Sequence, residues 1–186
     1  MKRIFIALKI ESGEILLQAL SLMKSALKNE YINWTKPENI HITLAFLGDT
    51  EEKQIVAISN MLHEKCKGFG KFKLALKGTG VFRNYNDPRI LWIGIELSDN
   101  LQELFYVIIN GLKSVDIVNE DRPFNPHLTL GRIKKISDKQ VLESVVEQYQ
   151  YTHFQTVNVS EVILYESILL PPGPVYRPIA KCLLND

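Results

Sequence analysis

His41-Ile42-Thr43-Leu44-Ala45-Phe46-Leu47-Gly48 is echoed by His127-Leu128-Thr129-Leu130-Gly131-Arg132-Ile133-Lys134. Each stretch runs histidine, apolar residue, threonine, leucine, small residue, inside a run that reads as a strand. Side chains alternate faces along a strand. His41 and Thr43 are therefore expected on one face, with Ile42, Leu44 and Phe46 on the other. The echo sets His127 and Thr129 against Leu128 and Leu130 in the same way. Each strand then offers an imidazole and a hydroxyl side by side and packs its back into a core. Two such strands facing a common cleft bring two imidazoles and two hydroxyls around one small anion.

Working outward, the pattern is that of a duplicated unit. Arg3 to Ile10 reads as a first strand, and Ser12 is placed to cap a helix with Leu16, Ala19, Leu20, Met23, Ala26 and Leu27 on one face. Trp34 to Asn39 is turn-like and leads into the first histidine strand. Gly48 to Thr50 ends that strand, and Thr50, Glu51 and Glu52 favour a helix start. This second helix turns Ile55, Ile58, Met61 and Leu62 inward, and Phe72 to Leu76 alternates as a strand. Gly78 to Arg89 reads as a loop.

The pattern then restarts. Ile90 to Leu97 is a strand, Asp99 opens a helix, and Arg122-Pro123-Phe124-Asn125-Pro126 leads into the second histidine strand. Ser137 or Asp138 starts a helix with Val141, Leu142, Val145 and Tyr149, and Thr152 to Leu164 is largely strand. Pro171 to Pro174 is a turn and Val175 to Leu183 a last strand. Phe5-Ile6-Ala7-Leu8 falls on Trp92-Ile93-Gly94-Ile95 at an offset of 87 (92 − 5), and His41 falls on His127 at 86 (127 − 41). A near-constant offset predicts one domain, residues 1–186, made of two repeat-like lobes about a pseudo-two-fold axis. No linker-like segment separates the halves.

The bulk numbers narrow the function. The chain has 186 residues, 46% hydrophobic and 23% charged, which is an ordinary soluble composition. A formal net charge of +1 does not single out nucleic acid, so such a partner would need a local basic patch. No apolar run approaches the roughly 20 residues that span a bilayer, and Met1 to Ile6 resembles no signal peptide. Cys66 and Cys182 lie far apart in sequence, outside any metal-ligand spacing. They read as two free thiols in a reducing cytoplasm, with a disulfide as the alternative that has no positive support in the sequence.

Two imidazoles flanking a scissile bond serve as base and acid in one step. Their ordinary pKa of about 6.5 suits both roles near neutrality. The hydroxyls of Thr43 and Thr129 would donate to oxygens that gain negative charge, as in a phosphate ester. Neither motif contains a carboxylate that would complete a metal site, which predicts metal-independent chemistry. A lone His-x-Thr in a strand means little. Two copies at equivalent places in a repeat mean much more. His63 and His153 read as exposed or capping residues, and their spacing gives no support to a zinc site with His41 and His127.

These residues resemble the 2H phosphoesterase superfamily, defined by two His-x-Thr/Ser-x motifs, and within it the RNA 2′,3′-cyclic phosphodiesterases, also named 2′-5′ RNA ligases. The resemblance runs from Arg3-Ile4-Phe5-Ile6-Ala7-Leu8 through Pro37 to Gly48, Leu91-Trp92-Ile93-Gly94, Pro123 to Arg132 and Pro172 to Tyr176. It implies an α+β, bilobal LigT-like fold with two antiparallel sheets lining a central groove and helices outside. It implies hydrolysis of an RNA terminal 2′,3′-cyclic phosphate to a 2′-phosphate, with reversible 2′-5′ ligation as the reverse reaction.

By motif, His127 would activate water, His41 would protonate the departing 3′-oxygen, and Thr43, Thr129 and Arg132 would hold the phosphate. Simple alternation puts Arg132 on the wrong face, so it needs a bulge, a strand end or a long reach. Phe82, Arg83 and Arg89 are candidates for base or RNA contact, with Tyr85 and Trp92 as further stacking candidates. Trp92 is expected in the core because it matches Phe5. Arg132, Lys134 and Lys135 would extend a basic rim. The expected partner is an RNA or oligonucleotide end with a 2′,3′-cyclic phosphate. No cofactor, membrane or obligate protein partner is expected, and the chain is expected to be a monomer. Alternatives are another cyclic phosphate, a 2′-5′ oligonucleotide, or a nucleotide- or RNA-binding module without turnover.

Overall fold

The computed structural model describes residues 1–117, 123–171 and 173–185. The lead-in residue Arg122 and the turn residue Pro172 lie outside them. Nine strands and four helices follow as β1 (Lys2–Lys9), α1 (Glu14–Ala26), β2 (Tyr31–Trp34), β3 (His41–Thr50), α2 (Glu52–Cys66), β4 (Phe72–Phe82), β5 (Ile90–Ile95), α3 (Asp99–Ser114), β6 (His127–Lys135), α4 (Lys139–Gln148), β7 (His153–Val159), β8 (Glu161–Leu170) and β9 (Gly173–Leu183). A 3₁₀ turn, Pro37–Asn39, stands before β3, with Pro37 at its first position where the missing N–H costs nothing.

The strands join in the order β7-β4-β5-β6-β3-β1-β8-β9, with β2 added on β6. All pairs are antiparallel. The two histidine strands are therefore neighbours at the centre, joined by the single ladder pair Ile42–Leu128. Two wings open from that seam, β3-β1-β8-β9 and β6-β5-β4-β7, where two sheets were expected. The wings do not coincide with the sequence halves. β4 closes the first repeat yet pairs with β5 of the second, while β8 and β9 follow the second repeat and extend β1. Strand partners are set by non-local pairing, which periodicity does not encode.

One face of this sheet and the four helices share a continuous core. It holds Ile4, Ile6 and Leu8 of β1, Ile42 and Leu44 of β3, Leu91 and Ile93 of β5, and Leu128 and Leu130 of β6. The helices contribute Leu16 and Leu20, Ile58 and Leu62, Leu101 and Leu104, and Leu142. Each such side chain contributes about 1.5–3 kcal/mol when fully buried. The opposite face carries a small separate cluster among the described residues, Phe5, Ala7, Ile163 and Tyr165 with Tyr176 against it.

Local chemistry departs from the sequence reading in several places. Ser12 does not cap α1: the N-cap is Gly13 with no side-chain bond, and the Ser12 hydroxyl is buried without a partner among the described residues. Gln155 instead accepts from the Gly13 N–H at 2.6 Å and donates to the Glu11 carbonyl, tying this entry to β7. Ala26 faces solvent. Tyr31–Trp34 pairs with β6 as a strand where a turn was expected from Trp34. Gly78 to Phe82, expected as loop, extends β4 along β5. α2 starts from a capping box of Glu51 and Gln54 rather than from Thr50. α3 and α4 start from Ser98 and Asp138, whose side chains accept backbone N–H groups. Cys66 and Cys182 are free thiols, both buried and hydrogen-bonded side by side. That bond and burial hold the Cys66 thiol above its ordinary pKa.

Candidate active site

The seam between the wings sets the site. Ile42 opposite Leu128 in an antiparallel ladder puts His41 opposite Thr129 and Thr43 opposite His127. The four side chains form a square on the face away from the core, and the two histidines lie on its diagonal. In a regular sheet that diagonal separates the two residues by about 7–8 Å, and their Cβ atoms by somewhat less. His41, His127 and Thr129 are half-buried, and Thr43 is exposed.

Both histidine strands bulge at the same place. Along β3, Thr43 pairs with Ala7 and Ala45 with Ile6, so Leu44 has no partner. Along β6, Thr129 pairs with Trp92 and Gly131 with Leu91, so Leu130 has none. An unpaired extra residue reverses the alternation beyond it. Leu44 and Ala45 are thus both buried, as are Leu130 and Gly131. The next residues, Phe46 and Arg132, turn to the groove face and are exposed. Phe46 was expected on the core side, and the bulge overturns that. A second bulge in β3 falls at Leu47, between the pairs Phe5–Phe46 and Ile4–Gly48.

The bulge also answers the difficulty with Arg132. Its guanidinium acts on His41, His127 and Tyr176 alike, so it stands between the two wings. The small residue after each leucine has a packing reason at Gly131. A Cβ there would lie 2.6 Å from Ile32 of β2.

The imidazoles are held alike. His41 Nδ1 lies 2.7 Å from the Asn39 carbonyl oxygen, and His127 Nδ1 lies 2.8 Å from that of Asn125. A carbonyl only accepts, so Nδ1 carries the proton and donates. The neutral ring then presents Nε2 as its lone-pair nitrogen. The Asn39 amide in turn donates to the Pro174 carbonyl of β9 at 2.9 Å. Burial lowers the His41 pKa below 6.5, the carbonyl bond opposes it, and the charges of His127 and Arg132 lower it further. His127 is lowered by burial and by Arg132, against its own carbonyl bond.

Aromatic rings frame each imidazole. Tyr176 meets His41 edge-on at 5.2 Å, and Phe5 lies 5.0 Å from it. Phe82 meets His127 edge-on at 4.6 Å and lies 5.5 Å from Trp92. Trp92 therefore belongs to the groove face beside Thr129, not to the core. Its match to Phe5 holds, because Phe5 also faces the groove. The Trp92 Nε1 is buried without a partner among the described residues. Arg3 stacks over Phe46 at 4.9 Å, a second platform on the same face.

Other candidates stand elsewhere. Arg83 and Arg89 both pair with Asp87, the latter at 3.0 Å, and hold its carboxyl below the usual range. Tyr85 packs toward Glu143 and Glu147 of α4; burial and these carboxylates raise its pKa. Lys134 and Lys135 are exposed at the end of β6, where Lys135 pairs with Tyr31. His63 and His153 are exposed, and His153 Nε2 lies 3.2 Å from the Thr156 hydroxyl. Among the described residues no cluster of three or more histidine, cysteine or acidic side chains is placed to hold a metal ion. None of their helices is long and apolar enough to cross a membrane. Tyr176 and Arg3 had no functional reading in the sequence and Phe46 was read as core-facing, since their approach depends on the bulges and on where β9 pairs.

A repeated α+β sheet with two His-x-Thr strands at its seam is the architecture of the two-histidine phosphoesterases. The chain belongs to the LigT like Phosphoesterase family, whose model matches residues 9–92 and 94–176. It is 33% identical over 181 residues to the RNA 2′,3′-cyclic phosphodiesterase of Thermotoga maritima, covering 97% of this chain and 94% of that one. It is also 33% identical to the RNA 2′,3′-cyclic phosphodiesterase of Methanocaldococcus jannaschii, covering 96% and 99%. Among solved structures, a protein of Thermus thermophilus superposes with a TM-score of 0.77 at 26% identity, covering 98% and 97%. E. coli LigT complexed with 3′-AMP shares the fold, with a TM-score of 0.79 at 22% identity, covering 100% and 99%.

Proposed function

We propose that this chain hydrolyses RNA ends that carry a 2′,3′-cyclic phosphate, giving a 2′-phosphate. The reading rests above all on the matched tethering of both imidazoles, each with Nδ1 bonded to the carbonyl two residues before it. Both Nε2 atoms are then free for proton transfer. His127 Nε2 takes a proton from water as the water oxygen bonds to phosphorus. The P–O3′ bond breaks, and His41 Nε2–H gives its proton to the leaving O3′. The hydroxyls of Thr43 and Thr129 and the Arg132 guanidinium donate to the non-bridging oxygens, whose charge grows in the transition state. The step needs two proton-transfer groups and no metal. The names of the Thermotoga and Methanocaldococcus relatives support the substrate.

Phe82 and Trp92 flank the His127 side, and Phe46 under Arg3 offers a stacking surface, while Arg83 and Arg89 reach RNA only by leaving Asp87. The chain acts as a monomer, in a reducing compartment that suits its two buried thiols. The same residues run the reverse joining through a 2′-5′ bond.

The test is hydrolysis of an RNA ending in a 2′,3′-cyclic phosphate, with chelator present, by wild type, His41→Ala and His127→Ala. Formation of a 2′-phosphate, reduced about 10²–10⁴-fold in each variant, is expected. Binding without turnover in wild type would leave a binding module instead, and full rate in either variant would remove the acid–base pair.

A further inference from the structure

Outboard of His41, and continuous with it, the groove face of the first wing holds a polar cavity of about 150 Å³. A cavity of about that volume accepts a molecule the size of benzene, so a phosphate group fits. Its lining includes Lys9, Glu38, Tyr165, Tyr176 and Lys181 beside His41 itself. The register explains the convergence. Lys9 is the cross-strand neighbour of His41. Ile163 pairs with Ala7 on one side and Lys181 on the other. Two ammonium groups from β1 and β9 thus flank an apolar floor on β8. Among the described residues neither lysine is in an ion pair. Glu38 is the one carboxylate in the lining, which leaves the cavity at +1 (2 − 1).

This cavity is not a second set of ligands for the phosphate between the histidines. Arg132 and Thr129 stand on β6, across the seam from His41, whereas Lys9 and Lys181 stand on β1 and β9, on its other side. Their ammonium groups therefore flank the groove on the first-wing side of His41, away from the seam. If O3′ departs toward His41, the ribose lies on that side of the phosphorus. Its 5′-carbon, and the next backbone phosphate, then run on into the first wing. Lysine ammoniums are suited to such a diester as mobile point charges. Contacts of this kind position a strand without reading its bases.

We propose that this cavity is the subsite for the phosphodiester on the 5′ side of the terminal nucleotide, with Lys9 and Lys181 as its cationic contacts. The inference rests on the function proposed above. It makes the protein prefer a chain end over a free cyclic nucleotide, because only the chain end carries that second phosphate.

The experiment compares kcat/KM for a short RNA ending in a 2′,3′-cyclic phosphate with that for a nucleoside 2′,3′-cyclic phosphate bearing a free 5′-hydroxyl. It uses wild type, K9A/K181A and K9R/K181R at several salt concentrations. Wild type is expected to prefer the RNA, and K9A/K181A to lose at least about tenfold of that preference through KM. The slope of log kcat/KM against log salt for the RNA should fall by about 0.7 per lysine removed. K9R/K181R should restore the preference. A ratio between the two substrates that is the same in wild type and K9A/K181A overturns the subsite, because general damage lowers both rates together. Wild type that hydrolyses neither substrate overturns the proposed function, and the subsite with it.

Discussion

Ile42 lies directly opposite Leu128 as the one ladder pair between the two histidine strands, and both side chains are fully buried. The diagonal between the imidazoles is therefore set from below, by two apolar side chains pressed into the shared core. Leu128→Ala would leave a cavity under the seam and is expected to cost about 2–5 kcal/mol. Denaturant unfolding measures it. The same variant should lose more activity than its folded fraction explains, because the ladder between the two wings rests on that pair. A variant that stays within about 0.5 kcal/mol of wild type would show that the seam is not held by this pair.

The carbonyl tethers fix a tautomer that can be read directly. In the neutral state, both His41 and His127 are expected to carry the proton on Nδ1. Nitrogen-15 shifts of the two rings should then show Nδ1 protonated and Nε2 as the bare nitrogen. His63, exposed and free of such a tether among the described residues, serves as the internal contrast. A protonated Nε2 on His127 at neutral pH would leave no lone pair toward the groove and would remove its role as base.

The square of His41, Thr43, His127 and Thr129 was legible because strand alternation needs only a period of two. What lay beyond the bulges was not. A bulge adds one unpaired residue, and no hydrophobic period records it, so Phe46 was assigned to the core side and Arg132 to the wrong face. The one local trace is the small residue after each leucine, Ala45 and Gly131. The repeat offset correctly matched Trp92 to Phe5, but both were read as core when both face the groove. The exchange of β4 and β8 between wings was invisible for a different reason: it depends on which distant strand each one meets. Tyr176 reaches His41 only because of that pairing.

Trp92 is supported from beneath by a missing side chain. Gly80 pairs directly with Trp92, and a Cβ there would sit 2.2 Å from the indole ring. At Gly94, two residues along β5, a Cβ would meet the Lys77 carbonyl oxygen at 2.7 Å and the indole at 3.3 Å. Gly80→Ala is expected to cost about 1–3 kcal/mol by overpacking. It should also push the indole toward Phe82, 5.5 Å away. In a Trp34→Phe background Trp92 is the sole tryptophan, since the chain has two. Its emission should shift, and KM for the cyclic phosphate should rise more than kcat falls. An unchanged spectrum would mean that the ring is not seated on Gly80.

Arg132 couples the two imidazoles and gives the sharpest pH prediction. His41 and His127 both sit below 6.5 in the folded protein, from burial first and from the Arg132 charge among the opposing and reinforcing causes. Hydrolysis needs His127 neutral and His41 protonated, so the alkaline limb of kcat/KM should fall below 6.5 in the free enzyme. The two limbs report the pair rather than either residue. Arg132→Gln removes a cation that disfavours imidazolium, so both limbs should move to higher pH. The maximal rate should drop about 10²–10³-fold, as for a lost donor to the phosphate oxygens. Stability carries the matching sign. Between the lowered native values and 6.5 the unfolded chain binds more protons than the native one, so unfolding free energy rises with pH across that window. The contribution is complete above the window and is lost as pH falls through it, and Arg132→Gln should narrow the window. Limbs that stay in place or move down in Arg132→Gln would separate Arg132 from the histidines and return it to a solvated strand end.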